Sequence, residues 1–295
     1  MFYALSLLTG VLISVMIAIN GGLTGRYGVY SATAIIHVVG LALIIIIVLI
    51  KREKFFPKRF PWYLYLGGAI GVLTTVFNNF SFGRISVSAI LALGLLGQSI
   101  SGLTIDRYGL FGMKKYPFTK EKLIGLTLII GGIISMITSF EVIAVLVSFL
   151  AGVTIVLSRT LNAKIADLTS VRVSTFYNYF VGLFVALIAL FLLGRNELAP
   201  TEAISLYNFY IYLGGAFGLA VVLLLNILVV KVSAFYLTLL IFVGQVFSGV
   251  LIDVIITQTI SARNVLGGVL VAAGLCIDLI IDKRQRNLST QETAQ

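Results

Sequence analysis

Apolar runs of about 20 residues follow one another along the whole chain, separated by short polar joins. That is the length at which an α-helix crosses a hydrocarbon layer, where every backbone N–H and C=O must be satisfied within the segment. The runs predict ten spanning helices, near 2–22, 31–50, 62–82, 86–105, 121–140, 142–161, 173–193, 209–229, 234–254 and 264–281. The count is most sensitive at the tight joins "GRIS" (83–86) and "SFEV" (139–142). The glycine-containing "GGLTGRYG" at 21–28 reads as a turn outside the membrane.

Composition strengthens this reading. The chain is 59% hydrophobic and 11% charged, with a mean hydropathy of +1.10. Soluble domains carry about 25% charged residues. The expected fold is therefore an all-α integral membrane protein. The net charge of +10 does not point to nucleic acid, because the Lys and Arg residues sit in joins between apolar runs. With both termini in the cytoplasm, 17 of the 21 basic residues fall in inner loops; only Arg26, Arg84, Arg195 and Arg263 fall outside them. This bias predicts a multi-pass protein of the cytoplasmic (inner) membrane with N-terminus and C-terminus inside. The aromatic "PWYLY" at 61–65 follows the first basic loop, at the level of an interfacial belt. The N-terminus lacks the basic region of a cleavable signal.

A lone cysteine, Cys276, rules out an internal disulfide and a cysteine-rich metal site. With one His besides, the chain offers no zinc triad, and it contains no Walker A sequence. The expectation is a protein that is not an enzyme and has no cofactor or metal.

The polar residues inside the apolar runs repeat. "GQSISGLTID" at 97–106 returns as "GQVFSGVLID" at 244–253, and "YLGGAIG" at 65–71 returns as "YLGGAFG" at 212–218, both after 147 residues. This offset pairs Asn79 with Asn226, Ser86 with Ser233, Gln98 with Gln245 and Asp106 with Asp253. Nearer the start of each half the offset is 142, pairing Gly10 with Gly152, Asn20 with Asn162, Thr33 with Thr175, His37 with Tyr179 and Gly40 with Gly182. The expected units are 1–140 and 141–295, each of five helices, the second ending in a short basic tail. Because five is odd, the second must enter the membrane the other way round. Inverted-topology repeats are common in secondary transporters, whose sites lie near the midplane between the repeats.

In the stretches "GVLISVMIAINGGLTGRYGVYSATAIIHVVG" (10–40) and "YLGGAIGVLTTVFNNFSFGRISVSAILALGLLGQSISGLTIDRYGLFG" (65–112), and in the second-half repeats, the sequence resembles the drug/metabolite transporter superfamily. It is most similar to the YdcZ-like branch in its fused ten-helix form. The resemblance implies a small-molecule transporter with a pathway lined by helices one to four and six to nine. It also implies that helices five and ten are peripheral, in packing or in the contact of a homodimer. One feature departs from the small multidrug members, which carry a substrate- and proton-binding Glu in helix one: residues 3–22 contain no acid.

Six residues form the candidate substrate site: Gln98, Gln245, Asn79, Asn226, His37 and Tyr179. Gln98 and Gln245 fall near helix centres, where lipid satisfies neither their donors nor their acceptor, so each must face protein or a watered cavity. Two readings stand: hydrogen bonds to substrate, or bonds between helices. His37 could carry a proton, or pack as a structural residue. Asp106 and Asp253, each eight residues beyond its Gln, lie about 12 Å further along the axis, toward opposite membrane faces. With Asn20 and Asn162 they are candidates for gating or for a structural role. The function these features point to is a secondary transporter moving a small polar metabolite or organic solute by alternating access, with an exporter as one direction. Its partners would be membrane lipids, the solute, and protons or sodium as coupling ion. A non-transporting structural or regulatory subunit and a channel-like conduit are the other readings.

Overall fold

The computed structural model describes residues 1–56, 58–110, 120–137, 141–197, 206–229, 231–232 and 234–292. Among these it contains ten α-helices: α1 (Phe2–Tyr27), α2 (Val29–Ile50), α3 (Leu66–Ser81), α4 (Val87–Tyr108), α5 (Lys122–Met136), α6 (Val142–Leu168), α7 (Val171–Leu193), α8 (Gly214–Val229), α9 (Ala234–Thr257) and α10 (Ala262–Glu292). Short 3-10 turns at Trp62–Tyr65 and Leu206–Leu213 lead into α3 and α8. Seven of the ten helices carry a stretch long and apolar enough to cross a membrane, and α5 is a shorter apolar helix.

The helix boundaries differ from the expected ones at several ends; α10 runs to Glu292 instead of stopping near 281, so the expected basic tail is helical. The "GG" at 21–22 does not end α1, which runs on to Tyr27 and stops where Gly28 turns the chain at φ 84°. More consequentially, α6 runs to Leu168 instead of ending near 161, so Arg159 and Lys164, both counted among the basic residues of an inner loop, lie within a helix.

Polarity is distributed as a bilayer requires. Large apolar side chains such as Ile46, Leu49, Phe184, Phe191, Leu251 and Ile255 face outward, while Ser6, Thr9, Ser14, Asn20, Thr33, Asn79, Ser81 and Ser148 are buried between helices. Between helices in lipid, apolar burial gains nothing over contact with acyl chains. Close backbone approach and hydrogen bonds therefore decide the partners.

Glycines set those approaches. A Cβ placed on Gly10 in α1 would lie 2.0 Å from the Ile241 carbonyl oxygen of α9, and one on Gly244 would lie 2.3 Å from the Leu7 oxygen. The same contact recurs between α6 and α4: Gly152 would meet the Gly94 oxygen at 1.9 Å, and Gly97 the Phe149 oxygen at 2.1 Å. In both pairs the helices run parallel. Antiparallel α5 and α10 meet at Gly125 with Gly274 and at Gly132 with Gly267. The antiparallel pair α3 and α6 adds a seam of hydroxyls. Thr74 bonds Thr154 (2.8 Å), Ser148 donates to Ser81 (2.8 Å), and Ser158 donates to the Gly67 carbonyl (2.7 Å).

Candidate functional site

Three of the expected site residues come together around α2. His37 is buried, its Nδ1 lies 2.8 Å from the Thr33 carbonyl oxygen, and its ring meets the Tyr179 ring edge-on at 5.8 Å. The amide of Asn79, also buried, donates to the Thr33 hydroxyl (3.2 Å). Thr33 and His37 are one helical turn apart, so α3, α2 and α7 are joined through one face of α2. Each ring of the His37–Tyr179 pair also covers a glycine of the opposite helix, Gly182 and Gly40 respectively. Packing and helix-to-helix hydrogen bonds account for the contacts of this trio.

The glutamines stand on other contacts. Both backbones sit at the glycine approaches, Gln98 beside Gly152 and Gln245 beside Gly10. Gln98 is half-buried, and its amide turns back to the Gly94 carbonyl (3.3 Å). Gln245 is buried; its backbone carbonyl accepts from Ser14 (2.9 Å), and its Oε1 has no partner among the described residues. Asn20 and Asn162 act at helix crossings: the Oδ1 of Asn20 lies over Gly214 and that of Asn162 over Gly67. Asn162 also donates to Asn178 (2.8 Å). Such an amide oxygen resting on a glycine Cα is the geometry of a weak Cα–H···O contact. The side chains of Asn226 and Asp106 lie outside the described part of the structure.

Asp253 does structural work at one end of the bundle. Its carboxylate accepts from the backbone N–H groups of Val87 (2.6 Å) and Ser88 (3.0 Å), from the Ser88 hydroxyl, and from Asn264 (3.3 Å). An anion bonded to the free N–H groups at a helix start is favoured by both hydrogen bonding and the helix dipole. Asp253, late in α9, thus ties the beginning of α4 to the end of α9. Just inside this tie, Gly249 packs on Ser88 and Leu91, and Ile17 of α1 closes an apolar cluster with Val87 and Leu91, backed by Ile13, Met16 and Ile252.

Among the described residues, the opposite end is parted. Residues Gly102, Thr238 and Arg159 are the positions that the 147 and 142 offsets pair with Gly249, Leu91 and Ile17. A Cβ on Gly102 would meet nothing within 4 Å, and Thr104, Thr238 and Arg159 are exposed. α1 packs against α4, but no comparable packing joins α6 to α9 among the described residues. The closed end and the parted end are thus built from corresponding positions of the two halves.

Two glutamates were missed in the sequence. The Glu197 carboxylate accepts from the N–H groups of Val29 (3.1 Å), Tyr30 (2.8 Å) and Ser31 (2.9 Å), fixing the start of α2. Gly28 must be glycine there, since a Cβ would lie 2.2 Å from the Glu197 carboxyl carbon and its φ is positive. Glu53, after α2, holds the start of α7 by accepting from Ser170 (2.6 Å) and from Arg172. Burial pushes the Glu53 carboxyl up, but the bonds from Arg172 and Ser170 and the charges of Arg172 and Lys51 outweigh it and hold it below its ordinary value of 4.5. No local pattern announces either contact, because each joins residues more than a hundred positions apart.

A helical chain with apolar flanks, polar residues between its helices and seven candidate spans is a multi-pass membrane protein. The profile described as "Putative inner membrane exporter, YdcZ" matches residues 1–135 and again 143–277. The chain belongs to this family, within the drug/metabolite transporter superfamily, which is a family of membrane transporters and not of enzymes. A solved structure, titled only "Crystal structure of protein", aligns over 95% of this chain and 98% of its own, with a TM-score of 0.63 at 16% identity. That likeness concerns the fold alone. No match was found among curated proteins.

Proposed function

We propose that the protein is a secondary transporter that moves a small polar organic solute across the inner membrane by alternating access, working as an exporter in its family's sense. Its two halves, which the family profile matches separately, are inverted-topology repeats, and the solute passes between them. The observation that carries this reading is the contrast between corresponding ends: Asp253, Gly249 and Ile17 shut one, while Gly102 and Arg159 stand free at the other. A bundle whose two ends are built from corresponding positions but differently closed is what one state of an alternating cycle looks like. The bias of basic residues toward one side supports cytoplasmic termini; in that orientation the shut end faces outward and the parted end faces the cytoplasm. A conduit of the channel type would need both ends open at once.

The test is flux. Proteoliposomes would be loaded with labelled amino acids, carboxylates, amines and sugars, with and without proton and sodium gradients. The expected result is saturable release of one class, lost when Leu91→Cys and Gly249→Cys are cross-linked. Flux that survives the cross-link would place the path outside the cleft between the halves and overturn the reading.

A further inference from the structure

Arg159 is a charged side chain within a candidate membrane span, and such residues face a bundle interior or a watered cavity and mark a pathway. It has no hydrogen bond, ion pair or ring contact among the described residues. Its direction is fixed by its helix. Gly152 packs into the α4 backbone, and Arg159 is seven residues on, two turns along nearly the same stripe and about 10.5 Å further down the axis. It therefore faces the side of α4, not lipid. Around that level of α4, Gly102 has no described atom within 4 Å of a Cβ, and Thr104 is exposed. The corresponding position in α1 is Ile17, which fills the apolar plug with Val87 and Leu91. One half thus places a hydrocarbon where the other places a guanidinium, so the charge is not a requirement of the helix packing.

From this placement we propose that the parted cleft binds its solute through Arg159, and that the solute is an organic anion bearing a carboxylate or phosphate. The guanidinium is a planar fork of donors that stays charged and matches these groups two bonds at a time. Exposed polar groups toward the same end suit the rest of such a molecule: the Thr104 and Thr238 side chains are both exposed. Arg159 also offers a reason for switching. When the α6–α9 side closes, a bare guanidinium would be stripped of water, which is costly unless a counter-anion enters with it. The loaded cleft can close and the empty one resists. The inference rests on the transport reading above and adds the substrate's charge to it.

The test uses Gly102→Cys in full-length protein with Cys276→Ser, reconstituted in liposomes. Labelling rates are compared for a negatively charged methanethiosulfonate (the ethylsulfonate) and a positively charged one (the ethyltrimethylammonium), each normalised to its rate with a free thiol. Arg159 should favour the anionic reagent, and Arg159→Gln should lower that preference by roughly fivefold, as expected for one charge acting across about 10 Å of watered cleft. Arg159→Lys should retain it. Inorganic phosphate or acetate should slow labelling more than chloride at equal ionic strength, and only when Arg159 is present. If the Gly102→Cys thiol labels readily but shows no charge preference, or no protection by either anion, the anion site is wrong while the cleft stands. If that thiol cannot be labelled from either side in any condition, the cleft is absent and both readings fall.

Discussion

The two ends of this bundle are assembled from the same repeated positions and differ in what those positions hold. At one end a carboxylate, Asp253, satisfies the start of α4, and Ile17, Val87 and Leu91 exclude water. At the other, Gly102 stands clear and the counterpart of Ile17 is Arg159. A hydrocarbon plug needs no occupant to stay shut, whereas a guanidinium facing another helix does. On the transport reading, closure at one end is intrinsic to the chain and closure at the other is conditional on an occupant.

Substitutions at paired glycines separate packing from gating, and they give the largest effects. Gly152→Leu or Gly10→Leu drives a side chain into a facing backbone carbonyl and should abolish stable folding in detergent, since overpacking where the facing backbone cannot move exceeds the usual cost of about 1–3 kcal/mol. Gly102→Leu should leave the melting temperature nearly unchanged, because nothing lies within 4 Å. A Gly102→Leu protein as unstable as Gly152→Leu would mean that the cleft is not there.

Asp253→Ala removes the acceptor for two backbone N–H groups and a hydroxyl, a loss of about 1–3 kcal/mol for buried donors left unpaired. The end closed by Asp253 should then open more often, read as faster labelling of Leu91→Cys. Unchanged labelling would make Asp253 a mere ornament of α9. In the hydroxyl seam, Ser158→Ala should cost about 0.6 kcal/mol, typical of a bond between membrane helices, and leave labelling at both ends alone.

The smallest effect is one of pH. Glu53 is held below its ordinary value in the folded protein, so its contribution is fully present above about pH 4.5 and fades as pH falls toward the folded value. Thermal unfolding followed from pH 7 down to pH 4 should show a stability loss that is smaller in Glu53→Gln than in the parent. Parallel pH profiles would remove Glu53 from the account.

Much of this was legible in the sequence, for identifiable reasons. The 142 and 147 offsets were readable because glycines and amides at helix crossings tolerate little change of shape, as at Gly10, Gly152, Asn20 and Asn162. Arg159 was counted with the charges of an inner loop because a charge normally ends an apolar run, whereas α6 continues for nine more residues to Leu168. The glutamines and the His37–Tyr179 pair were grouped as one site because each is a polar pair repeated within apolar runs. Hydropathy cannot report that α2, α3 and α7 gather one set while the α1–α9 and α4–α6 contacts hold the other. The capping roles of Glu197 and Asp253 depend on which helix start each meets in space.

The most direct test of the central claim is a pair of cross-links at corresponding positions in Cys276→Ser protein: Leu91→Cys with Gly249→Cys, and Gly102→Cys with Thr238→Cys. The account predicts that each pair can be joined alone, and that joining 91 to 249 prevents joining 102 to 238 in the same molecule. Both bridges forming together in one molecule would contradict it.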